Sequence, residues 1–252
     1  MKTGLVLSGG GARGIAHIGV LKALEELGIK PDAISGVSTG ALFGALYASG
    51  LSTVELIGIA KNSHLFELKN FRFSKSWFFK SETIRKTLKR NLKHDSFEEL
   101  LIPLTVAATD FLNATTTYFS KGELIKPLVA SSSIPVVFQP EKINQTIFVD
   151  GGLLNNLPVE PLIGNCDIII GVHANPLNTR LKKLTLSTVI EHSFHLAIAH
   201  TIKEKKKQCT IFIEPLALSR YHVFDMKHAT EIAAIGYKAA MLQKEKILSC
   251  YK

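Results

Sequence analysis

Ser38 carries the clearest chemical signal in this sequence, because it stands at the centre of a G-x-S-x-G pentapeptide that runs from Gly36 to Gly40. A β-rich run precedes this pentapeptide and a helical run follows it. Flanking glycines relieve crowding at a sharp strand-to-helix turn, so the serine oxygen projects at the edge of a sheet above a helix N-terminus. Ser38 is therefore a candidate nucleophile, although the pentapeptide alone also occurs at ordinary turns.

A glycine-rich loop lies upstream in LSGGGARG, where Gly9, Gly11 and Gly14 follow the G-x-G-x-x-G spacing. That spacing is typical of a loop that binds the pyrophosphate of a dinucleotide, together with an acidic residue at the end of the second strand. Asp32 begins the second strand instead, directly after Pro31. Successive backbone N–H groups at such a turn also suit the oxyanion of an acyl-transfer reaction. The loop therefore indicates an anion site, either for a nucleotide or for a transient oxyanion.

A serine nucleophile needs a base, and the sequence offers two kinds. Three histidines share one predicted helix without another feature of a site near them: His192, His195 and His200. Asp150 ends a β-branched and aromatic run, TIFVD, and is followed by Gly151 and Gly152. Its carboxylate should lie at a tight turn at the carboxyl end of a strand, where α/β proteins bind ligands. Asp-Gly-Gly alone is usually only a turn, but beside the serine turn it makes Asp150 the candidate base.

Alternating strand and helix patterns must position these residues. The first 50 residues form a βαβα pattern, with strands over 3–8 and 31–37 and helices over 13–28 and 38–50. Parallel strands joined by a right-handed crossover place the glycine loop and the serine turn at the same edge of the sheet. Further strands are predicted over 104–111, 115–120, 146–150, 167–174 and 209–215, and helices after Ser52 and over 81–92, 121–132, 183–207 and about 225 to the end. The pattern predicts an α/β fold with a parallel sheet covered by helices.

Length and composition favour a single domain over residues 1–252, because 46% of the residues are apolar and no repeat or linker interrupts them. Cys166, Cys209 and Cys250 are widely spaced and form no C-x-x-C pair, which argues against a disulfide framework and a structural zinc site. The sequence has no visible secretory signal and no apolar stretch of the ~20 residues that span a bilayer. We expect a cytoplasmic protein, soluble or peripheral at the inner membrane surface.

A net charge of +9 and a pI of about 9.4 predict attraction to polyanions, such as nucleic acid or anionic lipid head groups. Residues 64–90 stand out because aromatic and basic side chains are interleaved there. The aromatic residues are Phe66, Phe71, Phe73, Trp77, Phe78 and Phe79, and the basic ones include Lys69, Arg72, Lys75, Lys80, Arg85, Lys86, Lys89 and Arg90. Such a segment suits a membrane interface or a single-stranded nucleic acid surface. A helical flap with its aromatic residues packed on the core is the alternative.

Taken together and in this order, the glycine-rich GGGARG, the serine turn GVSTG and the strand-end DGG resemble the patatin-like phospholipase family. The resemblance extends to ASSSIPVVFQP, residues 130–140, and to NNLPV after the aspartate. It covers about residues 4–160 and is closest to the small single-domain bacterial members. It implies a three-layer α/β/α fold with a mostly parallel central sheet, and hydrolysis of acyl ester bonds of lipids without a cofactor or metal.

The resemblance also implies roles for individual residues. Ser38 falls on the nucleophile and Asp150 on the general base, which form a Ser-Asp dyad without histidine. The backbone N–H groups of Gly9, Gly10 and Gly11 fall on the oxyanion hole, and Arg13 on an arginine that braces the loop. The remaining motif glycines support these turns: Gly14, Gly36, Gly40, Gly151 and Gly152.

Two departures from the family pattern bear on specificity and on the C-terminal part. Thr39 stands where a smaller residue commonly follows the serine, and no motif is matched beyond about residue 175. The resemblance implies a lipid or acyl-ester substrate and no nucleic acid, and it gives residues 64–90 a role in contacting anionic membranes. A non-catalytic basic module for membranes or nucleic acid, and a nucleotide-binding protein, are the alternatives.

Overall fold

A computed structural model describes residues 1–62, 81–177, 186–223 and 225–251. The strands are β1 (Thr3–Leu7), β2 (Ala33–Val37), β3 (Leu104–Asp110), β4 (Thr115–Phe119), β5 (Glu141–Ile143), β6 (Thr146–Asp150), β7 (Ile168–Val172) and β8 (Ile211–Ile213). The helices are α1 (Ala16–Glu26), α2 (Thr39–Ala48), α3 (Thr53–Asn62), α4 (Glu82–Asn91), α5 (Ile125–Ser131), α6 (Leu186–Lys207), α7 (Ala229–Met241) and α8 (Lys244–Ser249). Short 3-10 turns include Gly11–Ile15 before α1 and Gly151–Leu153 after β6.

The eight strands of the described ranges form one sheet in which β3, β2, β1, β7 and β8 run parallel. Successive residues of β1 alternate between the two faces: Leu5 and Leu7 pack in the hydrophobic cluster that includes residues of α1 and α7, whereas Val6 packs with Ile198 of α6. This alternation makes three layers, with helices on both faces of the sheet. The predicted three-layer α/β fold with a mostly parallel sheet is confirmed.

Several elements differ from the sequence prediction, among them the C-terminal helix, which is divided into α7 and α8. α1 begins at Ala16 rather than at residue 13, because the glycine loop continues into a 3-10 turn. α5 begins at Ile125 rather than at 121, because Asp95 Oδ1 accepts hydrogen bonds from the N–H groups of Leu124 and Ile125 and so caps the helix there. Strand β5 was not predicted, since three residues of mixed polarity carry no alternating pattern.

Strand β3 brings the ends of two other strands together. On one side of β3, β4 pairs with residues 106–110. On the other side, β2 pairs with residues 104–107 and β6 pairs with residues 108–110. The pairing of β2 with β3 ends at Val37, opposite Ala107. The pairing of the antiparallel β6 with β3 ends at Asp150, opposite Ala108. Both strands therefore end at neighbouring positions of β3. Asp150 ends its strand as predicted, but it reaches the serine turn from the opposite direction, because β6 runs antiparallel to β2 and β3.

Helices α1 and α7 pack at a close approach made possible by two glycines. A Cβ atom at Gly19 would overlap the carbonyl oxygen of Ala233, and one at Gly236 would overlap that of Ala16. Each helix thus lies with its backbone directly against the other. This pair covers the face of the sheet behind the glycine loop.

Replacement of Gly19 with alanine is expected to lower the free energy of unfolding by about 2 kcal/mol or more, because the added methyl group must separate two packed helices. Gly58 is the matched control, since it also lies in a helix but a Cβ there meets no described atom within 4 Å. Gly58→Ala should raise the free energy of unfolding by about 0.5–1 kcal/mol through its better helix propensity. Urea unfolding of the three proteins measures both effects. Equal stability of the two variants would contradict this packing.

Candidate active site

Ser38 occupies a strained turn between β2 and α2, with φ 52° and ψ −127°. A non-glycine residue in this region costs about 1–3 kcal/mol and persists only where its surroundings hold it. Gly40 allows the turn, because a side chain there would overlap the carbonyl oxygens of Leu7 and Ser8. The Leu42 N–H donates to the Ser38 carbonyl at 3.0 Å and continues the turn into α2. The serine hydroxyl therefore lies at the N-terminus of a helix, as expected for a nucleophile turn.

Ser131 clamps this turn and was not singled out from the sequence. Its hydroxyl accepts a hydrogen bond from the Ser38 N–H at 2.8 Å and donates one to the Ala107 carbonyl at 2.6 Å. Both bonds are buried, so α5, β3 and the serine turn form one rigid unit. The only sequence signal was the small-residue segment 130–140, which gave no reason to prefer Ser131 over its neighbours.

Ser38 and Asp150 meet in a buried hydrogen bond. The Ser38 hydroxyl donates to Asp150 Oδ2 at 2.6 Å, and the two residues are 3% and 4% exposed. Asp150 Oδ1 accepts from the Gly152 N–H at 2.7 Å, which fixes the other carboxylate oxygen. The Asp150 N–H donates to the Ser133 carbonyl at 2.9 Å. These contacts hold one carboxylate oxygen on the serine hydroxyl.

Burial governs the acidity of Asp150. The loss of solvent raises its pKa from 3.8 to about 6, although the hydrogen bonds from Ser38 and Gly152 lower the pKa in part. A carboxylate with a pKa near neutrality binds a proton more strongly than an exposed aspartate does. It is therefore suited to accept the proton of a hydroxyl nucleophile.

The glycine loop lies directly against the serine turn. A Cβ atom built at Gly9 would be 3.2 Å from the Cβ of Ser38, and one at Gly14 would be 2.7 Å from the Cβ of Thr39. Only glycine allows the two turns to approach this closely. Because β1 and β2 are parallel neighbours, both turns leave the sheet at the same edge.

Residues of the C-terminal part of the chain accept hydrogen bonds from the glycine loop. Arg13 is 3% exposed and its Nε donates to the Tyr221 carbonyl at 2.7 Å, while the Ala12 N–H donates to the Val223 carbonyl at 2.7 Å. Gly11 adopts φ +53°, and a side chain there would overlap the same Val223 carbonyl. Residues beyond 175 matched no motif, so the sequence did not indicate this contact.

Asn156 is a further buried residue of the site, at 3% exposure. Its Oδ1 would be 2.6 Å from a Cβ at Gly9 and 2.7 Å from a Cβ at Gly152, so the side chain fills the space between the glycine loop and the aspartate turn. Within the described ranges its Nδ2 has no hydrogen-bond partner. The sequence signal was NNLPV, which did not distinguish Asn156 from Asn155.

The remaining predicted candidates are Asp32 and the three histidines of one helix. Asp32 Oδ2 accepts from the Thr3 N–H at 2.6 Å, at the amino end of β1, so it lies about 16 Å of strand away from the glycine loop. His192, His195 and His200 all belong to α6, and the described His192 is partly exposed. In the described ranges, neither Asp32 nor His192 forms a hydrogen bond with Ser38 or Asp150, and the side chains of His195 and His200 lie outside the described residues.

The aromatic and basic segment 64–90 is described only from residue 81 onward, so its aromatic residues lie outside the described residues. On α4, Ile84 and Leu88 are buried, and Arg85 forms an ion pair with Glu141 at 2.8 Å. Lys86, Lys89 and Arg90 are exposed. The described part of the segment is therefore an amphipathic helix with three exposed cations.

No helix in the described ranges is long and apolar enough to cross a membrane. Within the same ranges, no group of three or more His, Cys, Asp or Glu residues could hold a metal ion. The three cysteines are free thiols.

A three-layer α/β fold with a serine on a strained strand-to-helix turn at the carboxyl edge of its sheet defines a class of α/β proteins with a nucleophile turn. Within this class, the chain belongs to the patatin-like phospholipase family, whose family model matches residues 5–163.

Similar proteins agree with this assignment. The chain is 35% identical over 178 residues to an uncharacterized NTE family protein of Mycobacterium tuberculosis, which covers 69% of this chain and 49% of that protein. It is 32% identical over 188 residues to the lysophospholipase nte1 of Aspergillus fumigatus, covering 69% of this chain and 12% of that protein. The chain thus spans about half the length of the mycobacterial relative and a small part of the fungal one. VipD from Legionella pneumophila shares the fold, with a TM-score of 0.61 over 97% of this chain and 67% of VipD at 14% identity.

Proposed function

We propose that this protein is a serine acyl hydrolase that cleaves carboxylic ester bonds of lipids, with Ser38 as nucleophile and Asp150 as general base. The observation that carries the proposal is the buried 2.6 Å hydrogen bond from the Ser38 hydroxyl to the Asp150 carboxylate. Membership of the patatin-like phospholipase family supports a lipid substrate, as does the name of the lysophospholipase relative. On the same grounds we propose a reaction of the phospholipase A or lysophospholipase type.

Acylation of Ser38 is the first half of the proposed reaction. The Ser38 oxygen attacks the ester carbonyl carbon while its proton passes to Asp150 Oδ2. The carbonyl oxygen becomes an oxyanion, which the N–H groups of Gly9, Gly10 and Gly11 stabilise. The C–O bond of the leaving alcohol then breaks, and protonated Asp150 returns its proton to that alcohol. The products of this step are the free alcohol and acyl-Ser38.

Deacylation repeats the same steps with water. Asp150 accepts a proton from a water molecule, whose oxygen attacks the acyl carbon through a second oxyanion. The bond to Ser38 breaks, and the serine oxygen regains its proton from Asp150. Each group is then restored, so the mechanism needs no other co-reactant than water.

The proposed lipid substrate assigns a role in membrane contact to the exposed basic residues of α4. The exposed Lys86, Lys89 and Arg90 of α4 and the net charge of +9 would attract the protein to anionic membranes, with residues 64–90 as the contact segment. The eight strands belong to one sheet, which supports a single hydrolase domain over residues 1–252.

The pH dependence of ester hydrolysis tests the proposal. Because only ionised Asp150 accepts a proton, and its pKa is raised to about 6, kcat/KM for a short-chain chromogenic ester should fall tenfold per pH unit below about pH 6. An aspartate of ordinary pKa would keep full activity at about pH 5. The profile is measured from about pH 4.5 to 9, with the folded state checked by circular dichroism at each end. A flat acidic limb, or no hydrolysis at any pH, would contradict the proposal.

A further inference from the structure

Three successive carbonyl groups of the glycine loop are each held by a donor. His17 Nε2 donates to the Ser8 carbonyl at 2.8 Å. The Gly9 carbonyl accepts from Asn175 Nδ2 at 2.8 Å and from the Ser8 hydroxyl at 2.9 Å. The Gly10 carbonyl accepts from the Arg13 N–H at 3.0 Å. Every peptide unit from Ser8 to Gly11 is therefore held through its oxygen.

A held carbonyl also orients an N–H group. In a planar trans peptide the C=O bond of one residue and the N–H bond of the next point in opposite directions. The hydrogen bonds to the carbonyl oxygens of Ser8, Gly9 and Gly10 therefore orient the N–H groups of the residues that follow. These N–H groups, of Gly9, Gly10 and Gly11, point away from the groups that donate to the carbonyls. In the described part of the chain, no acceptor takes a hydrogen bond from these three N–H groups.

His17 is a neutral hydrogen-bond donor to the glycine loop. The ring is fully buried on α1, and burial lowers its pKa to about 4, so it carries a single proton at neutral pH. The Ser8 carbonyl can only accept, which assigns that proton to Nε2. Nδ1 has no hydrogen-bond partner in the described part of the chain. The hydrogen bond to the Ser8 carbonyl is therefore the contact that an apolar residue at position 17 could not make.

Asn175 makes the corresponding contact from the loop after β7. It is 7% exposed, and its Nδ2 reaches the Gly9 carbonyl across the sheet edge. The preceding Ala174 N–H donates to the Ser8 hydroxyl at 2.8 Å, and that hydroxyl donates to the same Gly9 carbonyl. The loop after β7 thus fixes the Gly9–Gly10 peptide unit by two routes.

We propose that His17 and Asn175 are positioning residues that hold the Ser8–Gly9 and Gly9–Gly10 peptide units with their N–H groups turned toward the reacting carbonyl beside Ser38. This inference rests on the proposed function and adds to it, since neither side chain touches the reacting atoms. Gly9 is the residue of the loop against Ser38, so a rotation of either unit would move a donor away from the oxyanion.

The test compares side chains at residue 17 that differ only in reach. His17→Gln places an amide nitrogen where Nε2 lies, whereas His17→Asn has the same amide one bond shorter and cannot reach the Ser8 carbonyl. We expect His17→Asn and Asn175→Ala to lower kcat about 10- to 100-fold with KM unchanged, less than the loss of a donor itself. His17→Gln should restore most of kcat. Affinity for a trifluoromethyl ketone, whose adduct with Ser38 carries an oxyanion, should fall in parallel with kcat.

Thermal unfolding separates loss of the fold from loss of the contact. Thermal unfolding of each variant shows whether it is folded, and the melting temperature is compared between His17→Gln and His17→Asn. Folded His17→Asn and Asn175→Ala proteins with wild-type kcat and wild-type ketone affinity would overturn the inference while leaving the proposed function intact. A His17→Gln protein whose kcat is as low as that of His17→Asn would also overturn the inference and leave the proposed function intact. A folded wild-type protein that neither hydrolyses esters nor binds the ketone would overturn the proposed function and this inference together.

Discussion

Replacement of Ser38 with alanine is expected to lower kcat for ester hydrolysis by at least about 10⁴-fold, because no other group forms the acyl intermediate and only the oxyanion donors remain. Labelling by a serine-reactive phosphonate should disappear in the same protein, since the label binds the Ser38 oxygen. The fold should persist, because the 2.8 Å bond from the residue 38 N–H to Ser131 does not involve the hydroxyl.

Ser49 provides the matched control for this substitution. It lies at the other end of α2, and its hydroxyl donates to the Leu46 carbonyl at 2.8 Å. Ser49→Ala should retain wild-type kcat and take the phosphonate label. A folded Ser38→Ala protein that still hydrolyses the ester, or wild-type protein labelled at another serine, would contradict the assignment of the nucleophile.

Replacement of Asp150 with asparagine should remove activity and raise stability at the same time. Loss of the base lowers kcat by about 10⁴-fold, as expected when a proton acceptor is replaced by a neutral isostere. The same change removes a buried charge whose pKa is raised from 3.8 to about 6. The free energy of unfolding should therefore increase by up to about 3 kcal/mol above pH 7.

The stability difference has a defined pH window. Below about pH 4 Asp150 is protonated in both the folded and the unfolded chain, so wild type and Asp150→Asn should be equally stable. Between about pH 4 and pH 6 the unfolded wild-type chain has released a proton that the folded protein still binds, so the wild type loses stability that the asparagine variant keeps, and the gap is constant above about pH 6. Urea unfolding at about pH 4.5, where most of the gap has closed, and at about pH 8, where the gap is complete, measures this dependence.

Asp167→Asn is the control for the removal of a carboxylate, because Asp167 lies at the amino end of β7 and accepts from the Lys2 N–H at 2.7 Å. It should leave kcat unchanged. Substantial hydrolysis by a folded Asp150→Asn protein would direct attention back to the histidines of α6. A stability gap that does not depend on pH would show that folding does not raise the pKa of Asp150.

Local patterns predicted most of the fold, because they depend on residues close together in the chain. The βαβα start, the strands after residue 100 and the long helix ending at Lys207 follow from periodicity and from glycines at turns. Strand β5 was not predicted, and the start of α5 was predicted too early in the chain. β5 is defined only by its pairing with β6, and the start of α5 is set by the distant Asp95.

Contacts between distant residues could not be deduced in this way. Ser131, Asn156 and Asn175 carry no spacing signal of their own. Ser131 and Asn175 bind backbone groups far from them in sequence, and Asn156 packs beside the distant Gly9. The contact of Tyr221 and Val223 with the glycine loop joins residues about 210 positions apart. Such contacts depend on how the layers pack, and no local pattern encodes that packing.

The sequence by itself determined the types of chemically active residue and the turns that carry them: a serine between glycines, an aspartate before two glycines, and a glycine loop after the first strand. Only the tertiary structure decided that Ser38 and Asp150 share a hydrogen bond, because β2 and the antiparallel β6 end at neighbouring positions on the same side of β3. It also decided the raised pKa of Asp150, which comes from burial. Residue type and spacing are properties of the chain, whereas distance and solvent exclusion arise only when separate segments pack together.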